Sequence, residues 1–337
     1  MAGAVLAGLA GACATLADNG GGDVDLPNAA AGPFRPTEAG ELMGSRVAPY
    51  ALRDDERFFR APSVIDEDGD PDTPAALIFA AMNTPIDGVE PDPAVRPDSL
   101  VRLRAADGRS PARQFDVLLT AQDPWEGHFI DAPCAVRAGD TISLYYGAAG
   151  GLGLATGRGS AFTRAGGAPI VAPADTPTGG VPRNPGVLRT DGGAYRLFYA
   201  VDEDGRSVIA EATSTDGMTF SDHRVVLRPR ENEAGLDAPQ PVTATTSQGR
   251  KLLYLYLATT TDEGRRRIDL AARFDGEASL QRAEGPVYDP GSDAPGDPFV
   301  VRKNGHSLLF ATQASGTGSD YPAVAVAVAP ATVSLLP

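Results

Sequence analysis

One short pattern occurs five times in this chain and dictates what it can fold into. "RAPSVI" around Pro62 returns as "DAPCAV" at Pro133, "RNPGVL" at Pro185, "DAPQPV" at Pro239 and "GDPFVV" at Pro298. The prolines stand 71, 52, 54 and 59 positions apart. A period of that size marks a repeat architecture, in which each copy buries its apolar faces only against its neighbours.

Each proline is followed by the same succession of elements. Turns come first, "EDGD", "RAGD", "RTDGG", "TSQGR" and "RKNGH", rich in the Gly and Asn that tight hairpins need at positive φ. A nearly continuous apolar strand follows: "ALIFAAM", "ISLYYGA", "YRLFYAV", "KLLYLYLAT" and "SLLFATQA". Such runs imply burial on both faces, as when sheet stacks on sheet. A third strand alternates ("SLVRLRA", "GLGLATG", "SVIAEATS", "RIDLAARF", "AVAVAVAV"), and a more polar fourth closes most units, as in "ARQFDVLL" and "FSDHRVVLRP". No stretch carries convincing amphipathic helical spacing. Four antiparallel strands repeated five times predict an all-β fold, a five-bladed β-propeller with blades starting near 60, 131, 183, 237 and 296. The propeller is expected over 34–337, with the region from Phe34 to Phe59 packing on it and completing the last blade.

The remaining N-terminal residues read differently. "MAGAVLAGLAGAC" is apolar, small-residued and too short to span a bilayer. Residues 1–13 resemble the end of a bacterial lipoprotein signal, which implies lipidation of Cys13. Residues 14–33 lack apolar periodicity and read as a disordered tether. The implied location is the bacterial cell envelope, or secretion. Two cysteines, Cys13 and Cys134, supply no disulfide framework, and Cys134 reads as a small buried apolar residue in a core strand.

A formal net charge of -15 disfavours nucleic acid and anionic membrane surfaces, whose binding needs clustered cations. Glycans, small molecules and proteins remain as partners. The membrane enters only through a lipid anchor, and a monomer is expected. No metal or cofactor is expected either. "DEDGDPD" from Asp66 to Asp72 places its glycine fourth, not sixth as a calcium loop requires, and reads as a solvated turn. The glycines around Gly153 precede no helix, so they form no dinucleotide loop.

In a propeller the first strands line the central channel, so the residues before each proline converge at its mouth. Two positions before proline stand Arg60, Asp131, Arg183, Asp237 and Gly296. Asn184 and Asp297 stand one position later, where strict strand alternation turns a side chain to another face. One reading of this set is a salt-bridged ring that ties blades together. The other is a polar binding site. "DPWEGHFIDAP" favours the second, because Trp125 offers a face for stacking on a sugar, with Glu126 and His128 beside it. Glu211, inside a third strand, could serve as a catalytic acid, and the reading preferred for it is an outward-facing or blade-interface position.

These strand starts, together with "IAEATSTDGMTF" from Ile209 to Phe220, resemble the five-bladed glycosidases: family 43 arabinanases and xylosidases and the related families 32 and 68. Ser214, Asp216, Gly217 and Phe220 reproduce the S-x-D-G turn and following aromatic residue found after third strands in that group. The resemblance spans about 58–330 and implies a carbohydrate partner. It also implies chemistry by three carboxyl groups on the first three blades. Asp131 falls on the second-blade position. The first-blade position holds Arg60 and Ala61, and the third holds Arg183 and Asn184, so the usual acid set is incomplete. Inverting hydrolysis needs one protonated and one ionised carboxyl, and an arginine can be neither at neutral pH. Asp131, Asp237 and Asp297 are therefore the candidate relocated acids. Arg60, Arg183, Asn184, Trp125 and His128 are the candidate substrate contacts, with Arg60 and Arg183 alternatively gripping an anionic group such as a uronate carboxylate or a phosphate. The alternative is a non-catalytic surface lipoprotein that serves as a protein-binding or scaffold propeller.

Overall fold

The computed structural model describes residues 34–36, 59–66, 76–83, 96–105, 115–245, 250–291, 294–303, 306–314 and 322–329, together with 15–17 and 23–25. Five antiparallel four-stranded blades account for most of them. Blade 1 is Phe59–Asp66, Ala76–Met82, Ser99–Ala105 and Phe115–Thr120. Blade 2 is Ile130–Ala138, Thr141–Ala148, Gly151–Arg158 and Ala161–Arg164. Blade 3 runs Arg183–Arg189, Tyr195–Glu203, Arg206–Ser214 and Ser221–Leu227. Blade 4 runs Glu233–Thr245, Lys251–Thr261, Arg266–Phe274 and Gln281–Arg282. Blade 5 takes Gly296–Lys303, His306–Ala314 and Pro322–Ala329 from the C-terminal part of the chain and Arg35–Pro36 from the N-terminal part. The early segment thus completes the last blade and closes the circle. Its neighbour Phe34 is buried between blades 4 and 5, and its amide donates to the Val287 carbonyl.

The apolar second strands are explained by the seams between blades. Tyr195, Leu197, Tyr199 and Val201 pack toward blade 2, while the alternate residues Phe198 and Ala200 pack toward blade 4. Likewise Tyr254 and Tyr256 face blade 5, and Leu253, Leu255 and Leu257 face blade 3. One buried cluster lies at each seam, including the closing seam, where Phe299 and Phe310 of blade 5 meet Phe59 and Ile78 of blade 1. A strand with period-2 side chains and apolar partners on both faces has no polar face to show.

The five proline motifs share one local device. Each first strand shifts register against its second strand at the residue pair preceding the proline. At each shift the residue before proline is left-handed: Ala61 (φ 52), Ala132 (φ 48), Asn184 (φ 51), Ala238 (φ 47) and Asp297 (φ 48). Proline disfavours the α conformation in the residue before it, and side-chain sterics resist positive φ. Such a residue costs roughly 1–3 kcal/mol, and it persists only where its surroundings fix it. Here the bulge ends regular pairing and turns the chain onto the channel wall.

Just past the proline, blades are joined by hydrogen bonds from backbone amides. Ser63 Oγ accepts from the Ala135 amide of blade 2 (2.9 Å), Cys134 Sγ from the Val187 amide of blade 3 (3.2 Å), and Gln240 Oε1 from the Val300 amide of blade 5 (3.0 Å). The equivalent residue of blade 3 is Gly186. A Cβ there would lie 1.8 Å from the Pro239 carbonyl oxygen, so blade 4 rests directly on this backbone. A single parallel bridge, Ser207 to Gly235, also links blades 3 and 4.

The expected lipidation site Cys13 and the acidic turn beyond Asp66 lie outside the described residues. Within 14–33, Thr15–Ala17 pairs antiparallel with Asp23–Asp25, and the rest of that span is likewise outside them. The only described helical turns are the short 3-10 segments Pro124–Glu126 and Pro173–Asp175.

Ser63→Ala removes the acceptor of the buried Ala135 amide without opening a large cavity. It is expected to destabilise the propeller by about 1–3 kcal/mol in denaturant unfolding. Unfolding at the wild-type midpoint would mean that the amide finds another partner.

Candidate functional site at the channel mouth

The left-handed bulge decides where the residues before each proline can reach. Strict alternation turns Asn184 and Asp297 away from the residues that precede them, and the structure corrects that expectation. Asn184 Nδ2 donates to Asp237 Oδ1 at 2.7 Å. The charge of Asp297 on blade 5 acts on Asp131 of blade 2 and on Asp237 of blade 4. Blades 2 and 5 are not neighbours, so this coupling runs across the axis. The structure therefore brings together Arg60, Asp131, Arg183, Asn184, Asp237 and Asp297.

The two ring aspartates sit in matching frames. Asp131 Oδ1 accepts from the Ala132 amide at 2.7 Å, and Asp237 Oδ1 from the Ala238 amide at 2.9 Å. Each carboxylate thus satisfies the N–H of its own strained bulge residue. Arginines stand beside them at longer range: Arg60 Nε is 3.5 Å from Asp131 Oδ2, and Arg183 Nε is 3.9 Å from Asp237 Oδ1. Arg183 is turned chiefly elsewhere, since Nη2 donates to Asp202 Oδ1 at 2.9 Å and to Ser207 Oγ at 2.7 Å.

Burial dominates the titration of both acids. It pushes Asp131 up to about 6, opposed by Arg60 and reinforced by the Asp297 charge. Asp237 is raised in the same way, by burial first, with Arg183 opposing and Asp297 reinforcing. Below the ring the channel narrows to a cavity of about 30 Å³ among Pro62, Cys134, Gly186, Gln240 and Phe299. That admits a couple of waters and no sugar.

The tryptophan loop is arranged differently from the sequence expectation. Glu126 does not flank an open Trp face. Its carboxylate is 0% exposed and accepts from the Gln122 and Asp123 amides, the Tyr146 hydroxyl, and Nε and Nη2 of Arg164. Burial works to raise its pKa, and these donors together outweigh burial and hold it below the ordinary value. Trp125 is half-buried, with its ring stacked on Tyr146 (centroids 6.1 Å apart, planes at 26°) at the seam between blades 1 and 2. His128 is exposed and left-handed (φ 68). Among the described residues no contact joins Trp125 or His128 to the ring. The loop still reaches the edge of the mouth: Arg96 stacks over Phe129 at 4.4 Å, and its charge acts on Asp131.

Glu211 takes the blade-interface position, one of the two preferred for it from the sequence, and not an outward-facing one. It is buried between blades 3 and 4 and takes hydrogen bonds from Arg196, Arg224 and Arg273. Glu233 and Asp269 form a similar buried cluster with Arg267 and Arg282. Sequence reading missed two further mouth residues, Arg96 and Arg266. Neither lies near a proline motif. The sign of Arg266 was indirect: Gly296 stands where the other blades carry Arg or Asp.

Solved structures share this architecture at low sequence identity. An α-L-arabinofuranosidase from Lactobacillus brevis is 14% identical, with 80% of this chain and 91% of that chain covered at a TM-score of 0.60. An endo-arabinase from Bacteroides thetaiotaomicron is 12% identical over 86% and 98% of the two chains (TM-score 0.60). A β-1,2-mannobiose phosphorylase from Listeria innocua, solved with β-1,2-mannobiose, is 15% identical over 82% and 91% (TM-score 0.61). The fold is that of the propeller glycoside-active enzymes. No protein-family model matches this chain, and no curated protein matches it. At these identities the likeness fixes the propeller and leaves its chemistry to the mouth residues.

The raised pKa of Asp131 has a measurable consequence. Its folded value of about 6 lies above its ordinary value of 3.8, so the fold favours the protonated carboxyl. This contribution to stability is fully present below about 3.8 and is lost as pH rises through about 6. Asp131→Asn keeps an acceptor for the Ala132 amide and removes the titration. Its stability relative to wild type is expected to rise on the order of 2–3 kcal/mol between pH 4 and pH 8. A difference independent of pH in paired denaturation curves would show that Asp131 does not titrate in this window.

Proposed function

We propose that this propeller engages a glycan at its channel mouth, with Asp131, Asp237 and Asp297 as its acidic set and Asn184, Arg60 and Arg183 as its polar frame. The observation that carries this reading is the convergence of three aspartates from three blades, one of them held near neutrality by burial. Acid–base cleavage of a glycosidic bond needs a carboxyl that still holds its proton beside one that has lost it. Asp131 is suited to hold the proton, and hydrolysis of a polysaccharide is the reaction its environment favours. The similar structures include an α-L-arabinofuranosidase, an endo-arabinase and a phosphorylase in complex with β-1,2-mannobiose, which supports a carbohydrate ligand. Trp125 and His128 belong to the reading as an outer lip, reached by a ligand that extends past the ring toward blade 2.

The cellular setting is part of the same proposal. Lipidation at Cys13 would tether a monomeric propeller to the bacterial cell envelope, and a secreted form would act on the same polymers. A second reading, a non-catalytic propeller that binds a protein or serves as a scaffold, is favoured by one observation. The Asp237 oxygen on the bulge is already occupied by the Ala238 amide and Asn184, as in a structural ring.

Incubation with arabinan, xylan, fructan and uronate-containing polysaccharides separates the two readings. Reducing-sugar release is expected from wild type, falling at least ~100-fold in Asp131→Asn. Absence of both release and binding across these polymers would favour the scaffold.

A further inference from the structure

The mouth holds guanidinium donors that the protein itself does not satisfy. Nε and Nη2 of Arg60 and Nε of Arg266 are buried without a hydrogen-bond partner. Arg60 Nε stands 3.5 Å from Asp131 Oδ2, within ion-pair range but without a hydrogen bond, while Asp131 Oδ1 is taken by the Ala132 amide. The matching oxygen of Asp237 is taken by the Ala238 amide and Asn184. The aspartates thus spend acceptors on the backbone bulges, and the arginine N–H groups are left over. Buried donors in this state cost about 1–3 kcal/mol each, more when charged, unless something fills them.

Gly296 makes room for one of these arginines and lies one strand away from the backbone of the other. Of the five residues standing two before a proline, it alone has no side chain. A Cβ at Gly296 would lie 2.9 Å from Arg266 Nη2 and 3.1 Å from its Cζ, so the guanidinium from blade 4 fills the gap that glycine leaves. On the other side, Gly296 pairs with Thr312, and Thr312 Oγ1 accepts from the amide of Ala61, the residue after Arg60. The Arg266 guanidinium and the Arg60–Ala61 backbone therefore lie on either side of one short piece of blade 5.

We propose that Arg60 and Arg266, on either side of Gly296, form a subsite for a carboxylate carried by the glycan, so that the ligand is a uronate-containing saccharide. This rests on the reading that the mouth engages a glycan. A planar carboxylate is matched to forked N–H donors, and a guanidinium holds it through paired, charge-assisted hydrogen bonds. The chain is strongly acidic overall, so this attraction is local to the arginines and acts only at contact distance.

The test uses the full chain and calorimetric titration. The probes are tri-galacturonate and a glucuronate-substituted xylo-oligosaccharide, each beside its carboxyl-reduced counterpart, with inorganic phosphate as a third. Wild type is expected to bind an acidic probe at least roughly tenfold more tightly than its reduced form. Arg266→Gln and Gly296→Ala are both expected to erase that preference while leaving the affinity for the reduced form unchanged. Gly296→Ala alters no charge and only displaces the Arg266 tip, and unchanged melting curves would show that both variants fold. Equal binding of acidic and reduced forms by wild type overturns the carboxylate subsite and leaves the glycan reading standing. A preference that survives both variants assigns it to other residues. Phosphate binding that depends on Arg266, with no saccharide bound, removes the glycan and gives the subsite to phosphate.

Discussion

Everything in this structure hangs on a strained residue repeated around one axis. Ala61, Ala132, Asn184, Ala238 and Asp297 are held at positive φ immediately before proline, a combination that isolated peptides avoid. No single blade could hold it. It is fixed because the residues after four of the five prolines are tied to the next blade, through Ser63, Cys134 and Gln240 as acceptors and through direct backbone packing at Gly186. The strain is local and the restraint is circular. Closure by Arg35–Pro36 on Pro322–Ala329 is thus a condition for the inner ring.

The seams carry a second kind of restraint. Apolar clusters join neighbouring blades, and the charged groups buried beside them are enclosed by arginines. Glu126 with Arg164, Glu211 with Arg196, Arg224 and Arg273, and Glu233 and Asp269 with Arg267 and Arg282 all follow this scheme. Buried pairs of this type add little net stability, but removing one partner strands a charge and costs several kcal/mol. Of these pairs Glu211 with Arg273 joins blade 3 to blade 4, and the others brace blade 2 or blade 4 internally. The mouth is built on the opposite principle: its aspartates are desolvated, its arginines stand at longer range, and some of its donors have no partner.

Much of this was legible in the chain before folding. The proline motif marks each bulge, the turn residues mark the hairpins, and the unbroken apolar second strands announce packing on both faces. Asp131, Asp237, Arg60 and Arg183 could be placed at the mouth by counting back from proline. Other readings failed for definite reasons. Strand parity argued against Asn184 and Asp297, which were still counted among the candidates, and they reach the mouth because the left-handed bulge cancels the alternation that parity assumes. Glu126 looked like a ligand contact beside Trp125, because nothing in "DPWEGH" reveals that Arg164, from the last strand of the same blade, would enclose it. Arg266 was invisible, because its place at the mouth depends on the missing side chain of Gly296 across a blade boundary.

The sequence by itself determined the number of blades, the order of strands within them and the residues that ring the axis. These follow from periodicity and turn chemistry, which act over a few residues and repeat. Tertiary structure alone decided which carboxylates are enclosed and which stand open, and which arginine N–H groups are left without partners. The reason is physical. Burial and charge pairing depend on groups brought together from distant blades, and their energies are set by distance and desolvation that no local pattern encodes.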